Sequence, residues 1–239
     1  LKSAREKSYG MIESLVEKTD GLPHIVKTYN RLGICAKGDI LCFVHDDVEF
    51  LSEDWDRVVE EIFEEYKPDV LGVVGATKYE GGRVFDAGNP HLAGVVCVRK
   101  DGKEYAKLLS KKHRYLPAKV VDGLILFVSK KSFMERQFDE QLDELFFYDI
   151  DYCLRSENVG ITCDVLVKHA KPERLYGKYP STMKPIEHYW DYFHKKHSLY
   201  PGIQGDQTCS LIPLDEFQAS KQSFLYDNFS RKYLKAVPA

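Results

Sequence analysis

The sequence predicts an α/β protein whose central, mostly parallel sheet is flanked by helices. Short apolar runs rich in β-branched residues alternate with segments whose apolar residues recur at helical spacing. The chain has 239 residues, 44% of them hydrophobic, which suits one large domain or a domain with an appendage. The net charge of −3 gives no global basic field, which argues against a nucleic-acid or anionic-membrane partner.

The first half of the chain begins with a predicted helix. Residues 3–18 place Met11, Ile12, Leu15 and Val16 at helical spacing. The elements predicted next are a short strand at 24–29, a short helix or turn at 30–37, a strand buried on both faces at 40–44 and a helix at 52–66. In the last of these, Ser52 is expected to cap the helix and Trp55 to begin its apolar face.

The second half alternates in the same way. The elements predicted there are strands at 70–77 and 92–100, a strand at 119–130 that is interrupted at Asp122-Gly123, a loop turning into a helix over 138–160, a strand at 161–169, a mobile loop at 172–185 and a helix at 187–200. Residues 1–200 are therefore predicted to form one domain. Residues 201–239, which are mixed, polar and aromatic, are predicted to form a C-terminal extension packed on that domain.

The cysteines and the lengths of the apolar runs indicate in which cellular compartment the protein is found. The six cysteines show no C-x-x-C pairing, which argues against a zinc site or a disulfide scaffold and favours a reducing compartment. No run approaches the roughly 20 apolar residues that cross a bilayer, and the N-terminus has no signal-peptide core. We therefore expect a cytoplasmic protein without a membrane span.

The segment His45-Asp46-Asp47 directly follows a predicted buried strand. Ligands of α/β sheets collect at the carboxyl ends of strands, and Mg²⁺ or Mn²⁺ is often held by one or two carboxylates plus substrate phosphates. These acids therefore fit a divalent cation that carries a diphosphate. The alternative, which spacing alone leaves equally open, is a loop whose acids cap the helix at 52–66.

A second acidic segment contains Tyr148, Asp149 and Asp151 at the start of a predicted helix. Negative charge is favourable at that end of a helix, which alone explains both acids. The other interpretation makes one of these carboxylates the general base for a substrate hydroxyl. Spacing does not decide between the two.

Four stretches in sequence order carry a resemblance: AKGDILCFVHDD, VDG, FDEQLDELFFYDIDYCLR and VKHA. Together, from about residue 28 to residue 170, they resemble a glycosyltransferase of the family-2-like type, whose GT-A fold is a Rossmann-like sheet flanked by helices. Members of that family begin with a strand, a helix and a second strand that hold the nucleotide base. Only about 27 residues precede the matching Tyr29-Asn30 segment, so these N-terminal strands are expected to be missing or atypical.

The resemblance implies roles for individual residues. Asp47 and Asp46 would bind the metal, Asp46 would also serve the nucleotide or ribose, and His45 would lie near the donor. His169 would approach the cation from the opposite side, although a strand-end histidine in solvent is the simpler explanation. Asp149 would be the base, with Tyr148 in place of the usual glutamate. The remaining residues assigned to donor binding are Asn30, Asp122 and Gly123.

The sequence also contains histidines near its last helix, His188, His194 and His197. Only the last two share a helical face, and no H-E-x-x-H pattern is present, so a solvated helix surface is expected rather than a metal site.

The function that the resemblance implies is an inverting, hexosyltransferase-type glycosyltransferase of polysaccharide biosynthesis. Its donor would be a nucleotide-diphospho-sugar, its acceptor a hydroxyl of a glycan, and its cofactor Mn²⁺ or Mg²⁺. Two alternatives stay open at this point. One is a non-catalytic domain of the same fold that binds a saccharide or a protein, and the other is a sugar nucleotidyltransferase, for which the expected Gly- and Lys/Arg-rich N-terminal loop is not seen.

Overall fold

The computed structural model describes residues 2–17, 24–142, 147–169, 183–199 and 210–223. Its helices are α1 (Lys2–Glu6), α2 (Ile25–Cys35), α3 (Trp55–Tyr66), α4 (Lys130–Glu135), α5 (Tyr148–Leu154), α6 (Met183–His197) and α7 (Leu214–Ser223). Its strands are β1 (Ile40–Val44), β2 (Val48–Phe50), β3 (Val70–Gly72), β4 (Val74–Ala76), β5 (Leu92–Lys100), β6 (Lys103–Leu108), β7 (Leu116–Pro117), β8 (Val120–Val121), β9 (Ile125–Ser129), β10 (Val159–Ile161), β11 (Val167–His169) and β12 (Ser210–Pro213).

The strands form two mixed sheets, so the prediction of a mostly parallel central sheet is wrong. The first sheet has the order β1-β9-β3-β10-β7, and the second has β12-β6-β5-β11-β2, with β4 joining β5 to β8. Among the described strands, only β3 with β10 and β5 with β11 pair in parallel. An α/β architecture is present, but most of its neighbouring strands are antiparallel.

A hairpin in the second sheet explains much of this difference. Strands β5 and β6 pair antiparallel over six residue pairs, and Asp101-Gly102 connects them. Both turn residues have positive φ, 51° and 76°. This conformation matches the twist of paired strands and favours Asp-Gly. The prediction included the strand at 92–100 but not its antiparallel partner.

Two predicted elements near the N-terminus are wrong. The helix predicted over 3–18 ends at Glu6, because the Asp56 carboxylate accepts hydrogen bonds from the backbone N–H groups of Tyr9 and Gly10, at 2.6 and 2.8 Å. The strand predicted at 24–29 is instead the start of α2, which buries residues at helical spacing. No strand precedes β1 within residues 2–17 and 24–39.

The predicted strand at 70–77 divides into β3 and β4, which belong to different sheets. Glycines allow the close approach of the neighbouring strand: a Cβ on Gly75 would lie 2.3 Å from the Val120 carbonyl oxygen, and one on Gly72 would lie 2.6 Å from Val121 Cβ. The predicted strand at 161–169 likewise divides, between β10 and β11.

Several predicted elements are confirmed. They are the buried strand at 40–44 (β1), the strand at 92–100 (β5), the helix that fills most of 52–66 (α3), the break at Asp122-Gly123 between β8 and β9, and the helix near 187–200 (α6). Ser52, however, does not cap α3. Its hydroxyl accepts a hydrogen bond from the backbone N–H of Leu166 at 2.8 Å, and this bond connects the loop before α3 to the residue that precedes β11.

The C-terminal part is described only over residues 210–223. There β12 pairs antiparallel with β6, and Phe217 of α7 is buried. The domain boundary at residue 200 stays a prediction. The loop predicted at 172–185 lies largely outside the described residues. Among the helices that are described, none has the length and apolar character to cross a membrane.

Candidate active site

Most of the predicted site residues gather where the two sheets meet. His45 follows β1 of the first sheet. Its backbone N–H donates to the Leu124 carbonyl at 3.2 Å, which places His45 beside the Asp122-Gly123 turn. In the second sheet, β2 and β11 pair antiparallel with Val48 opposite His169. This pairing brings Asp47, just before β2, next to the end of β11. Residues from distant parts of the chain therefore share one location.

Three side chains at this location could hold a metal ion together. The ligand atoms of His45, Asp47 and His169 all lie within 4.8 Å of one another. His169 Nε2 lies 3.1 Å from an Asp47 carboxylate oxygen, and the centroids of the His45 and His169 imidazole rings are 6.2 Å apart. All three side chains are partly exposed, so an ion or substrate can reach them.

The chemistry of this donor set fits a divalent transition metal. It offers two imidazole nitrogens and one carboxylate, whereas Mg²⁺ is usually held by oxygen ligands alone. Imidazole ligands suit transition metals better, and Mn²⁺ accepts the carboxylate as well. Of the two ions predicted from the sequence, Mn²⁺ is the one whose ligand preferences match this donor set better.

Tyr148 fixes the orientation of His45. The Tyr148 hydroxyl donates to the Gly123 carbonyl at 3.2 Å and lies 3.0 Å from His45 Nε2. A hydroxyl has one proton, and a carbonyl can only accept. When the hydroxyl donates to this carbonyl, its oxygen accepts a hydrogen bond from a protonated Nε2, and that tautomer leaves the Nδ1 lone pair of His45 for a cation. Tyr148 itself is fully buried at the start of α5.

The Gly123 backbone connects His45 to Asp149. Asp149 Oδ2 accepts a hydrogen bond from the Gly123 N–H at 2.6 Å, and its Oδ1 accepts one from the Ile150 N–H at 2.9 Å. A Cβ at position 123 would lie 2.5 Å from the Tyr148 hydroxyl oxygen and 2.9 Å from Asp149 Oδ2. Only glycine permits this approach, so the turn, the tyrosine and the carboxylate form one packed unit.

The environment raises the pKa of the Asp149 carboxyl to about 7. The main cause is burial, which disfavours the charged form, and the second is the nearby Asp122 carboxylate. The hydrogen bonds from backbone N–H groups lower this pKa but do not outweigh the other two effects. Burial also raises the pKa of Asp122. Burial lowers the pKa of His45, which keeps its imidazole neutral, as metal ligation requires. Asp149 is therefore a stronger base than an exposed aspartate.

Two residues assigned to the site from the sequence lie outside this arrangement. Asp46 is exposed and is not part of the three-residue group, in which His45 takes its place. Asn30 is 3% exposed, and its amide bonds to Phe138: Nδ2 donates to the carbonyl at 2.9 Å, and Oδ1 accepts from the N–H at 3.0 Å. Its contacts are those of a residue that holds α2 in place.

The other acid of this segment, Asp151, has a different environment. Its carboxylate is fully buried and contacts Arg155, Lys196 and His197 at 2.7–2.8 Å. These contacts attach α6 to α5. The prediction that the histidines of this helix lie on a solvated surface is therefore wrong for two of them. His197 forms a hydrogen bond with Asp151, and His194 is only 8% exposed.

The sequence does not indicate two of the contacts at this site. Because acids are the expected ligands, it gives His45 no firm role, and it marks Tyr148 only as a departure from the family pattern. No sequence signal places the Tyr148 hydroxyl beside His45, since 103 positions separate the two residues. Gly123 bonds through its backbone to both Tyr148 and Asp149, and the assignment of Asp122 and Gly123 to donor binding stays a prediction.

Comparison with families of known proteins identifies a relationship. The chain matches the glycosyltransferase-like family over residues 16–196, about three quarters of its length. The matched region contains every residue of the site described above. No curated protein matches the chain.

Proposed function

The chain belongs to the glycosyltransferase-like family, and on that premise we propose that it transfers a sugar from a nucleotide-diphospho-sugar to a hydroxyl of a glycan, with inversion at the anomeric carbon. Family membership supports glycosyl transfer in general. The donor, the metal and the stereochemistry are the parts that we propose from the site.

His45, Asp47 and His169 would hold the cation, which supplies Lewis-acid neutralisation of the diphosphate charge. The hydrogen bond between the Tyr148 hydroxyl and Nε2 would keep His45 oriented. Asp122 lies close enough to interact electrostatically with both histidines and with Asp149, so it borders the space between the ligands and the base. We assign the donor to this space.

Asp149 acts as the general base in this proposal. Its carboxylate takes the proton of the acceptor hydroxyl while the acceptor oxygen forms a bond to the anomeric carbon. The bond from that carbon to the diphosphate breaks on the opposite face, and the electron pair leaves with the nucleoside diphosphate. A single displacement with one base inverts the anomeric configuration.

The observation that carries this proposal is the convergence on Gly123. The Gly123 carbonyl accepts from Tyr148, which contacts His45, and the Gly123 N–H donates to Asp149. The candidate metal ligands and the candidate base are thus separated by one residue of backbone. A binding domain without catalysis has no need to place a carboxylate with a raised pKa beside a metal site.

The proposal is tested by incubating the protein with a panel of nucleotide-sugars and Mn²⁺ and measuring both donor binding and release of nucleoside diphosphate. Asp47→Ala should abolish Mn²⁺-dependent donor binding. Asp149→Asn should bind donor normally and lose turnover by about 10²–10⁴-fold, the usual contribution of a general base. Asp46→Asn, next in sequence to Asp47 but outside the group, is the matched control and should keep Mn²⁺ binding.

Two outcomes would contradict the proposal. Normal turnover in both Asp47→Ala and Asp149→Asn would show that the site is misassigned. Donor binding without hydrolysis or transfer in the unmodified protein, across the whole panel, would favour the non-catalytic alternative.

A further inference from the structure

Aromatic side chains from three parts of the chain form a wall beside Asp149. Phe147, two residues before Asp149, stacks on Phe193 of α6 with ring centroids 4.8 Å apart. Its ring also lies edge-on to Trp190, at 5.6 Å. Tyr79, in the loop between β4 and β5, contacts Phe193 at 6.4 Å and lies close enough to Asp149 to interact with it electrostatically. These four rings, the aromatic wall, therefore begin at the candidate base.

The aromatic wall is separate from the candidate metal ligands. Within the described residues, none of its rings contacts the ring of His45 or His169, which neighbour each other. In a single displacement the acceptor oxygen attacks the face of the anomeric carbon opposite the diphosphate, and the diphosphate lies with the cation. The acceptor therefore has to reach Asp149 from a side other than that of the metal ligands, and the aromatic wall borders such a side.

Trp190 is the member of the aromatic wall that a ligand can reach. Tyr79, Phe147 and Phe193 are 7%, 5% and 0% exposed, whereas Trp190 is only partly buried. The ring of His194 packs on it, with centroids 4.3 Å apart. A tryptophan held in this way presents a rigid apolar surface, on which the C–H face of a pyranose ring can pack.

His194 supplies a hydrogen-bond acceptor that has no donor. Its Nδ1 lies 2.9 Å from the Leu199 carbonyl oxygen, so Nδ1 carries the proton, and burial lowers the pKa of the ring, which keeps it neutral. Its Nε2 therefore has a lone pair, and in the described chain this buried atom has no hydrogen-bond partner. An apolar ligand such as an acyl chain would leave Nε2 unsatisfied, whereas a sugar hydroxyl can donate to it.

The aromatic rings cover this nitrogen. Phe147, Trp190 and Phe193 lie around His194 with centroid distances of 4.3–6.2 Å. A hydroxyl therefore reaches Nε2 only when a ring shifts, and Trp190 is the one that is not fully packed. Binding of a saccharide is thus coupled to a change in the environment of Trp190.

The charges near the aromatic wall argue against an anionic ligand. The groups that interact electrostatically with Tyr79 and His194 include three carboxylates, those of Asp86, Asp149 and Asp191. In the loop between β4 and β5, Lys78 and Arg83 are each paired with a carboxylate of the same loop. A phosphate or carboxylate on the ligand would therefore meet like charge here.

We propose that the aromatic wall is the acceptor subsite and that it takes an uncharged pyranose of a neutral glycan, packed on Trp190 and extending toward Asp149. This inference rests on the proposed function and names the class of its acceptor. One hydroxyl of the sugar donates to His194 Nε2, and another presents its proton to Asp149. Trp190 contacts the acceptor directly, and it selects neutral saccharides over phosphorylated or acidic ones.

The two tryptophans of the chain allow a direct binding test. The protein is labelled with 5-fluorotryptophan, and Trp190→Phe assigns its two ¹⁹F resonances. Trp55 is 5% exposed and donates its Nε1–H to the Ala4 carbonyl at 2.9 Å, so its resonance is an internal reference. Cellobiose, lactose and N,N′-diacetylchitobiose are titrated without donor or metal. At least one should shift the Trp190 resonance alone, whereas digalacturonate, an anionic disaccharide, should shift neither.

Variants of α6 connect this binding to turnover. With a neutral disaccharide as acceptor, Trp190→Ala should raise the KM for the acceptor about tenfold, because the packing surface is lost, and should leave Mn²⁺-dependent donor binding unchanged. The matched control is Tyr192→Phe, on the same helix but outside the aromatic wall. It removes a hydroxyl that donates to Asp139 at 2.7 Å and should leave the KM unchanged.

Failure of the subsite and failure of the proposed function give different results. An unchanged KM for the acceptor in Trp190→Ala, with normal turnover, would overturn the subsite and leave the function standing. A shift of the Trp190 resonance in a protein that releases no nucleoside diphosphate from any donor would support saccharide binding at Trp190 and overturn the function. No shift with any of the three neutral disaccharides, or an equal shift with digalacturonate, would overturn the proposal.

Discussion

Tyr148 is the residue that connects the candidate metal ligands to the candidate base. Its hydroxyl contacts His45 and Gly123, and the next residue in the chain is Asp149. The hydroxyl is buried, so no water can replace it without rearrangement. The tyrosine therefore serves the site without contacting substrate, as a positioning residue for His45.

Tyr148→Phe should lower Mn²⁺ affinity by about 10–100-fold, the range observed when a partner of a ligating histidine is removed. Isothermal titration of Mn²⁺ into both proteins measures the change. Tyr115→Phe is the control, because it removes a hydroxyl that bonds to Asn158 away from this site. Unchanged affinity in Tyr148→Phe would show that His45 needs no such partner or is not a ligand.

Asp149 gives the reaction a defined pH dependence. Its pKa is raised to about 7 by burial and by Asp122, and only the deprotonated carboxylate can accept a proton. The value of kcat/KM should therefore fall about tenfold per pH unit below pH 7 and level off above it. The measurement is the pH profile of kcat/KM, which reports the pKa values of the unliganded enzyme.

The variant Asp122→Asn tests the cause of this pKa shift. Removing the second carboxylate should move the acidic limb of the profile to lower pH, whatever the absolute rate becomes. A limb that stays in place would show that a different group controls it.

Position 123 requires glycine because a Cβ there would overlap Tyr148 and Asp149, not because of its backbone φ angle. Gly123→Ala should displace both the Tyr148 hydroxyl and the Asp149 carboxylate and reduce turnover by at least about 10²-fold, since misplacement of about 1 Å can have that effect. Gly38→Ala, whose new Cβ would make ordinary contact at 3.5 Å, is the control and should be nearly neutral. Full activity in Gly123→Ala would remove the basis for a packed unit at this turn.

At the scale of elements, α6 is held to α5 by a buried charge cluster. Asp151 of α5 is fully buried and contacts Lys196 and His197 at the end of α6, while Lys196 also contacts Asp139 at 2.6 Å. Burial opposes ionisation of Asp151, but hydrogen bonds to His197 and the Arg155 charge hold its pKa below the usual value. These contacts attach the end of α6 to α5, the helix in whose first turn Asp149 lies.

Asp151→Ala should lower the free energy of unfolding by about 3–5 kcal/mol, because it leaves Arg155, Lys196 and His197 without the buried carboxylate that they share. Urea unfolding measures this change. The surface variant Asp54→Ala, which breaks a half-exposed pair with Arg57, should change stability by less than about 1 kcal/mol. Similar small effects in both would show that the cluster contributes little to holding α6.

The sequence predicts some elements better than others for physical reasons. The strand β1 and the helix α3 are confirmed because burial and amphipathic periodicity define them locally. The N-terminal helix is wrong because a distant carboxylate, Asp56, takes its backbone donors, and no local pattern contains that information. The break at Asp122-Gly123 is visible because aspartate and glycine interrupt an otherwise apolar run.

At the scale of the whole molecule, the sequence did not reveal whether neighbouring strands pair parallel or antiparallel. Alternation of strands and helices favoured parallel pairing, but the β5–β6 hairpin and the position of β9 between β1 and β3 make most pairs antiparallel. The candidate site depends on both sheets, since His45 follows β1 and His169 ends β11. The family resemblance implied that His169 approaches the same cation as Asp47, while the position of His45 beside these two residues is seen only in the three-dimensional arrangement.

The most direct test of the account is pulsed electron paramagnetic resonance of Mn²⁺ bound to the protein, which detects ligating nitrogen atoms. The account predicts coupling to two histidine nitrogens, with one lost in His45→Ala and the other in His169→Ala. A spectrum without nitrogen coupling, or one unchanged in both variants, would show that the two sheets do not share a cation and would contradict the site.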